Sequence, residues 1–241
     1  MIAAAEFRKL RTVRTPWILL AAAQVVIVAG IGGLMLDRSD GSTPDGQRAA
    51  VAHIGLVSLF TLILGIMAVA GEYRHRTITD AYLAVPRRQR VVLAKLGVYT
   101  LTGAVFGALS AVTALAASAI FLAAQGASLD LSAPGLWRTV IGGVLWNAAF
   151  AAIGVGVGAL ITNLIGAVAA ALAWLALVEG IVGQLVGGAR EWLPFALGAA
   201  LDGLPTSSNA PPQWQAALAL AAYATAFAAA AITTTVRRDI T

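Results

Sequence analysis

The chain has 241 residues, of which 59% are apolar and only 11% charged, against roughly 45–50% and 25% in an ordinary soluble domain. A soluble fold of this size has too little polar surface to cover that much apolar side chain, so a water-soluble globule is excluded and the bilayer becomes the expected solvent. The formal charge of +5 comes from 16 basic and 11 acidic residues, but the basic ones flank apolar runs, which suits lipid headgroups and argues against a nucleic-acid partner. The absence of cysteine excludes disulfides, thiolate metal sites and a cysteine nucleophile.

Residues 1–15 predict an amphipathic helix lying in the headgroup plane. Phe7, Leu10 and Val13 recur at helical spacing, with Arg8, Lys9 and Arg11 mostly on other faces. The plainer reading of the same segment is a set of charges that only fixes topology. The apolar run 17–36 is too long for a signal-peptide core and no A-x-A site closes it, so it reads as a retained first span. Residues 37–50, "DRSDGSTPDGQRAA", carry turn residues and predict a mobile polar loop. The second span is 51–70. The third, 96–124, is long enough to tilt or to project from the membrane. After a short loop come 138–161 and 164–186, joined by a tight turn at Thr162 and Asn163. Residues 187–213 connect two spans, yet Trp192, Leu193, Phe195, Leu197, Leu201 and Leu204 would not face water. One or two short helices that dip into the membrane or pack on the bundle are expected there. The sixth span is 214–236.

Each of these runs has the roughly twenty residues that a membrane-crossing helix needs. Alternating strands of about ten residues, the mark of a barrel, are missing. The expected fold is therefore all-α, a single transmembrane domain with six spans. With the N-terminus in the cytoplasm, twelve basic residues fall inside. Only Arg38, Arg48, Arg138 and Arg190 fall outside. That bias places both termini in the cytoplasm.

Residues 72–95 concentrate charge: Glu72, Arg74, Arg76, Asp80, Arg87, Arg88, Arg90 and Lys95. Thr77 to Val85 can form a short helix with Ile78, Ala81, Tyr82 and Val85 on one face. Pro86 disfavours helical geometry at Val85 and ends it. An apolar helical face ringed by charge suits docking into a groove of another protein. A basic hairpin that only fixes topology would need the arginines but not "TITDAYLAVP".

Enzyme chemistry finds little support, and no catalytic residue or metal site is predicted. The two histidines, His53 and His75, belong to no HExxH motif, and no nucleophile elbow is present. Neither lysine, Lys9 or Lys95, follows a glycine, so there is no Walker A loop to bind ATP. "GVGVG" at 154–158 lies inside a span with no preceding strand and carries no nucleotide signal. Gly103/Gly107, Gly154/Gly158 and Gly183/Gly187 have the small-xxx-small spacing that lets helices approach closely. Glu179 is the one acid inside a predicted span, with Gln184 five residues on and Asn147 in span four. Such groups either line a translocation path or are hydrogen-bonded structural groups, and the sequence leaves both open.

The stretch from Glu72 to Lys95 resembles the loop between spans two and three in permease subunits of type-2 ABC exporters. There the pattern E-x-E-x-G-T-L-x-x-L-L-x-x-P-x-x-R closes on a lysine. Glu72, Arg74, Thr77, Ile78, Pro86 and Lys95 take the matching positions. Arg74 stands where many relatives carry an acid, and Arg76 replaces the usual small residue. The form "EYRHxT…P" and the start "EFRKLRTVRTPW" are similar to actinobacterial members. The resemblance implies an interfacial N-terminal helix, six spans, a coupling helix after span two and short outer helices before span six. It further implies a dimer of permeases, homo- or heteromeric, on two cytoplasmic ATPase subunits. Those subunits, and not this chain, would bind ATP and Mg. Glu72, Arg74, Arg76, Thr77, Ile78, Asp80, Tyr82, Pro86 and Arg87 would then face the ATPase. The family exports drugs, antibiotics, peptides, lipids and polysaccharides. Two other classes stay open from the residues alone: an ion-driven secondary transporter using Glu179, and a non-transporting scaffold or receptor that docks a soluble partner.

Overall fold

The structure, a computed structural model, describes residues 2–37, 41–78, 88–186, 188–204 and 207–237. Among these, six segments are helical, long and apolar enough to cross a membrane. Span one is Arg14–Asp37, preceded by a separate N-terminal helix, Ile2–Thr12, with a break at Val13. Span two is the composite Pro44–Arg74 and span three is Arg88–Ala124. Spans four and five are Leu136–Leu160 and Leu164–Leu185, and span six is the helix Gln213–Arg237.

Two boundaries differ from expectation. The segment 37–50 is not a polar loop throughout, because Pro44–Val51 is a helix. Thr43 caps it by accepting the Gly46 N–H at 3.1 Å, and proline takes the first turn. Its Gln47 is buried. Gln47 donates to the Ser42 and Ser128 carbonyls and accepts the Asp130 N–H, which ties the connection to the loop after span three. Span three also starts early: its helix runs from Arg88, through residues assigned above to the charged connection.

Spans two, three and four pack through glycines. A Cβ on Gly154 would collide with the Leu62 carbonyl and one on Gly65 with the Ala151 carbonyl, while one on Gly158 would lie 2.5 Å from the Ile66 carbonyl. Gly103 and Gly107 abut Asn147 and Val144 in the same way. Apolar lipid gives helices no hydrophobic reason to associate, so close backbone approach and van der Waals contact hold them. Gly183 instead meets the Arg190 side chain, and Gly187 lies outside the described residues.

Two departures from the α-helix fall inside spans. Ala52–Val57 is a 3₁₀ stretch in span two, and Trp174–Val178 is a π-turn in span five. Such insertions mark strain or function more often than chance. The expected short helix between spans five and six is present as Pro194–Leu201, preceded by a 3₁₀ turn at Arg190–Trp192. Its residues Ala196, Leu197, Ala200 and Leu201 are buried against span four and span six.

Candidate functional site

The end of the bundle that carries the N-terminal helix also carries the root of the charged segment. Span two stops there in a hydrogen-bonded C-cap. The Arg76 N–H donates to the Tyr73 carbonyl at 3.2 Å, and the Thr77 N–H donates to the Glu72 carbonyl at 3.0 Å. This is the Schellman pattern, and Arg76 sits at its left-handed position with φ of 57°. Glycine normally takes that position, so the arginine found in place of a small residue is held in a backbone region that L-residues avoid. The turn leaves Arg74, His75, Arg76 and Thr77 exposed and sends Ile78 inward, where it packs on Val91 of span three and Tyr73. Asp80, Tyr82, Pro86 and Arg87, and with them most of the expected helix 77–85, lie outside the described residues.

Glu72 does not join the exposed rim. It is buried within a four-charge cluster whose centre is Lys95, only 1% exposed. The Lys95 Nζ donates to Glu6 Oε1 of the N-terminal helix at 2.7 Å, to Glu72 Oε1 at 2.7 Å and to the Ala68 carbonyl at 3.0 Å. Lys9, half-exposed, pairs with the same Glu72 oxygen from the solvent side. Two cations and two carboxylates thus balance, and all three donor positions of the ammonium are used. Glu6 Oε2 and Glu72 Oε2 are buried without a hydrogen-bond partner. The cluster ties three elements at one point: the N-terminal helix, the end of span two and the start of span three. It adds a buried polar contact to the helix expected over residues 1–15. Glu6 and Leu10 face the bundle, whereas Phe7 and Val13 are exposed.

A cavity of about 270 Å³ lies beside the cluster. Lys9, Glu72, His75, Thr77 and Tyr99 contribute to its wall, and Val13, Leu64, Met67 and Leu164 make much of the remainder apolar.

The other expected polar residues are not gathered into one path. Asn147 is fully buried among spans two, three and four. Its amide donates to the Ile54 carbonyl at 3.1 Å and to the Gly143 carbonyl at 2.8 Å. Glu179 follows the π-turn and accepts the Phe195 N–H at 3.1 and 3.2 Å. It therefore caps the N-terminus of helix 194–201 from a different element. Gln184 is exposed. The far end of the same short helix holds a residue that sequence reasoning passed over. Asp202, in the connection 187–213, is 2% exposed and takes the Gly55 N–H of the 3₁₀ stretch, with Oδ1 unpartnered. Burial holds its carboxyl well above the ordinary range, against the smaller opposing pull of that N–H. Beside it, Gly55, Gly143 and Gly198 leave the room that Trp146 and Asp202 occupy. The glycine pair at 142–143 was the available signal.

A second cavity, about 320 Å³ and almost wholly apolar, lies among spans two, four, five and six, with Leu62, Phe150, Val157, Trp174, Tyr223 and Phe227 in its wall. Among the described residues, no group of three or more His, Asp or Glu side chains is placed to hold a metal ion.

The model of the family described as ABC-2 family transporter protein matches residues 2–183. No curated protein matches the sequence.

Proposed function

The chain belongs to the ABC-2 family of transporter proteins, and from that premise we propose that it is the membrane-spanning permease subunit of an ATP-driven exporter whose motor is a separate ATPase chain. The observation that carries this reading is the construction at the basic end. An exposed rim, Arg74 to Thr77, sits on a root that Lys95 binds to three elements at once. A push on the rim cannot be absorbed locally, because the root, the N-terminal helix and span three share one buried ion cluster. Arg74, Arg76 and Thr77, with Asp80, Tyr82, Pro86 and Arg87 of the same segment, are the proposed contacts to the ATPase. Glu72 and Ile78 hold the segment in place from behind.

The twelve-to-four bias of basic residues supports a cytoplasmic position for this end and for both termini. The chain works as one transmembrane domain, most simply paired with a second permease copy and with two ATPase subunits that bind ATP and Mg. The apolar cavity supports a hydrophobic or amphipathic substrate moved outward. Glu179 is engaged by the Phe195 N–H, which favours a structural role over that of an ion carrier.

The test is reconstitution with the partner ATPase, found by co-purification. Replacing Asp80, Tyr82 and Arg87 together with alanine is expected to abolish substrate-stimulated ATP hydrolysis and transport while leaving the chain folded in the membrane. Full coupling in that variant overturns the assignment of the segment. Transport that persists without any ATPase, driven by an ion gradient, overturns the reading as a whole.

A further inference from the structure

An apolar groove and a set of arginines meet where the N-terminal helix gives way to span one. The groove, about 220 Å³, is walled by Phe7 and Leu10 of that helix, by Trp17 and Leu20 of span one, and by span three from Val98 to Leu109. Arg11 is the charged residue in its wall. Val98 to Leu109 covers roughly 16 Å of helix, at about 1.5 Å per residue. That is close to half of the roughly 30 Å hydrocarbon core of a bilayer. A polar pair fixes the register of the two spans: Gln24 Nε2 donates to Ser110 Oγ at 3.1 Å, just beyond Leu109. Counted back along both helices from that pair, Arg14 stands level with Thr100. The groove therefore starts at the level of the arginines and runs one leaflet deep.

The charge at its mouth has one sign. Arg8, Arg11 and Arg14 are exposed, and among the described residues none of them forms a salt bridge. The acids of this end, Glu6 and Glu72, are buried and already bound by lysines. Leu101, Val105 and Leu109 of the wall are exposed, so the groove is open along its side to the bilayer.

We infer that this groove seats one acyl chain of an anionic phospholipid from the leaflet at the basic end, with the lipid phosphate on Arg11. A guanidinium forks onto two phosphate oxygens. Arg8, one turn back on the same helix, and Arg14, just past the break at Val13, add to the positive field there. A zwitterionic head is disfavoured because its ammonium meets arginines and finds no free carboxylate. A neutral head gives the guanidinium no charge to hold. A soluble phosphate lacks the chain that the apolar wall calls for. The inference rests on the membrane-spanning fold and not on transport, so it stands or falls separately from the proposed function.

The test uses the purified, delipidated full-length chain. Phosphatidylglycerol, phosphatidylethanolamine and phosphatidylcholine with identical acyl chains are added one at a time, with glycerol 3-phosphate as a head without chains. Binding is read by native mass spectrometry. Phosphatidylglycerol is expected to bind about tenfold more tightly than either zwitterionic lipid, and glycerol 3-phosphate not measurably. Arg11→Gln should remove most of that preference, whereas Arg138→Gln, the same change of charge at the start of span four, should leave it. Val105→Trp fills the groove and keeps every arginine, and it should bring phosphatidylglycerol down to the level of phosphatidylcholine. Leu101→Trp does the same should the first variant fail to fold. Equal affinity for the three lipids overturns the site. So does an equal loss in Arg11→Gln and Arg138→Gln, or a preference that survives the folded tryptophan variant. If Arg11→Gln instead breaks co-purification with the ATPase and leaves the lipid preference intact, the arginines face a protein and the site is likewise overturned.

Discussion

Replacing Lys95 with methionine tests the claim that one buried ammonium holds the N-terminal helix to the bundle. Methionine keeps the length and packs well, so the change is mainly one of charge. It leaves the carboxylates of Glu6 and Glu72 buried, with only the half-exposed Lys9 to balance them. Breaking a buried ion pair by removing one partner costs about 3–5 kcal/mol. The lower end applies here because Lys9 still reaches Glu72. Undocking the N-terminal helix frees Glu6 into water, so the loss is expected to appear as local opening and not as global unfolding. At about 1.4 kcal/mol per tenfold, a cost of about 3 kcal/mol raises the open population roughly a hundredfold. Hydrogen exchange should therefore quicken by about two orders of magnitude across residues 2–12, and trypsin should cut at Arg8 and Arg11. Adding Glu6→Gln to Lys95→Met removes one stranded charge and should recover much of the protection. Unchanged exchange in the single variant, or no recovery in the double, refutes the reasoning.

Three further outcomes follow from particular contacts. Arg76→Gly relieves a left-handed residue that costs about 1–2 kcal/mol, so exchange at the Thr77 amide, which donates to the Glu72 carbonyl, should slow about five- to thirtyfold, whereas Arg76→Val should quicken it. Glu179→Ala removes the cap of helix 194–201. A lost cap of this kind costs about 1–2 kcal/mol, which hydrogen exchange should report at residues 195–197 with no change at the basic end. Asp202 is protonated more readily in the folded chain than in the unfolded one. Its contribution is therefore complete below the ordinary carboxyl pKa of 3.8 and is lost as pH rises from there towards the raised folded value. Asp202→Asn, which keeps an acceptor for the Gly55 N–H, should show a shallower loss of thermal stability than the parent as pH rises above the ordinary carboxyl range. Equal slopes would contradict a buried carboxyl.

The spans were legible because each is a run of about twenty apolar residues, and that signal is local. The start of span two was not, because Asp45, Gly46, Gln47 and Arg48 look like a loop, although the Thr-Pro-Asp capping signature at 43–45 was there to be read. The charged segment was legible as an anomaly, but its division into an exposed rim and a buried root was not. Glu6, Glu72 and Lys95 lie far apart in sequence, and only packing brings them to one point. In the sequence Lys95 only closes the charged stretch before span three, a place from which lysines usually reach toward water. Glu179 was conspicuous for being an acid in a span, while its partner, a backbone N–H in another helix, has no sequence signature. Asp202 looked ordinary among loop residues because burial is not written locally.

The six-residue 3₁₀ stretch in span two works as a change of thread within one screw. Each of its residues advances about 0.5 Å further and turns about 20° more than in an α-helix, so the whole stretch amounts to roughly 3 Å of extra length and a third of a turn. The faces of span two above and below it are out of phase by that angle. The stretch is held in this pitch from both sides, by Asn147 on the Ile54 carbonyl and by Asp202 on the Gly55 N–H. Releasing either grip lets the segment rewind toward α pitch, which draws the two halves of the span together and rotates one against the other. Span two thus carries, between its Thr43-capped start and its charged end, a built-in conversion between axial displacement and rotation.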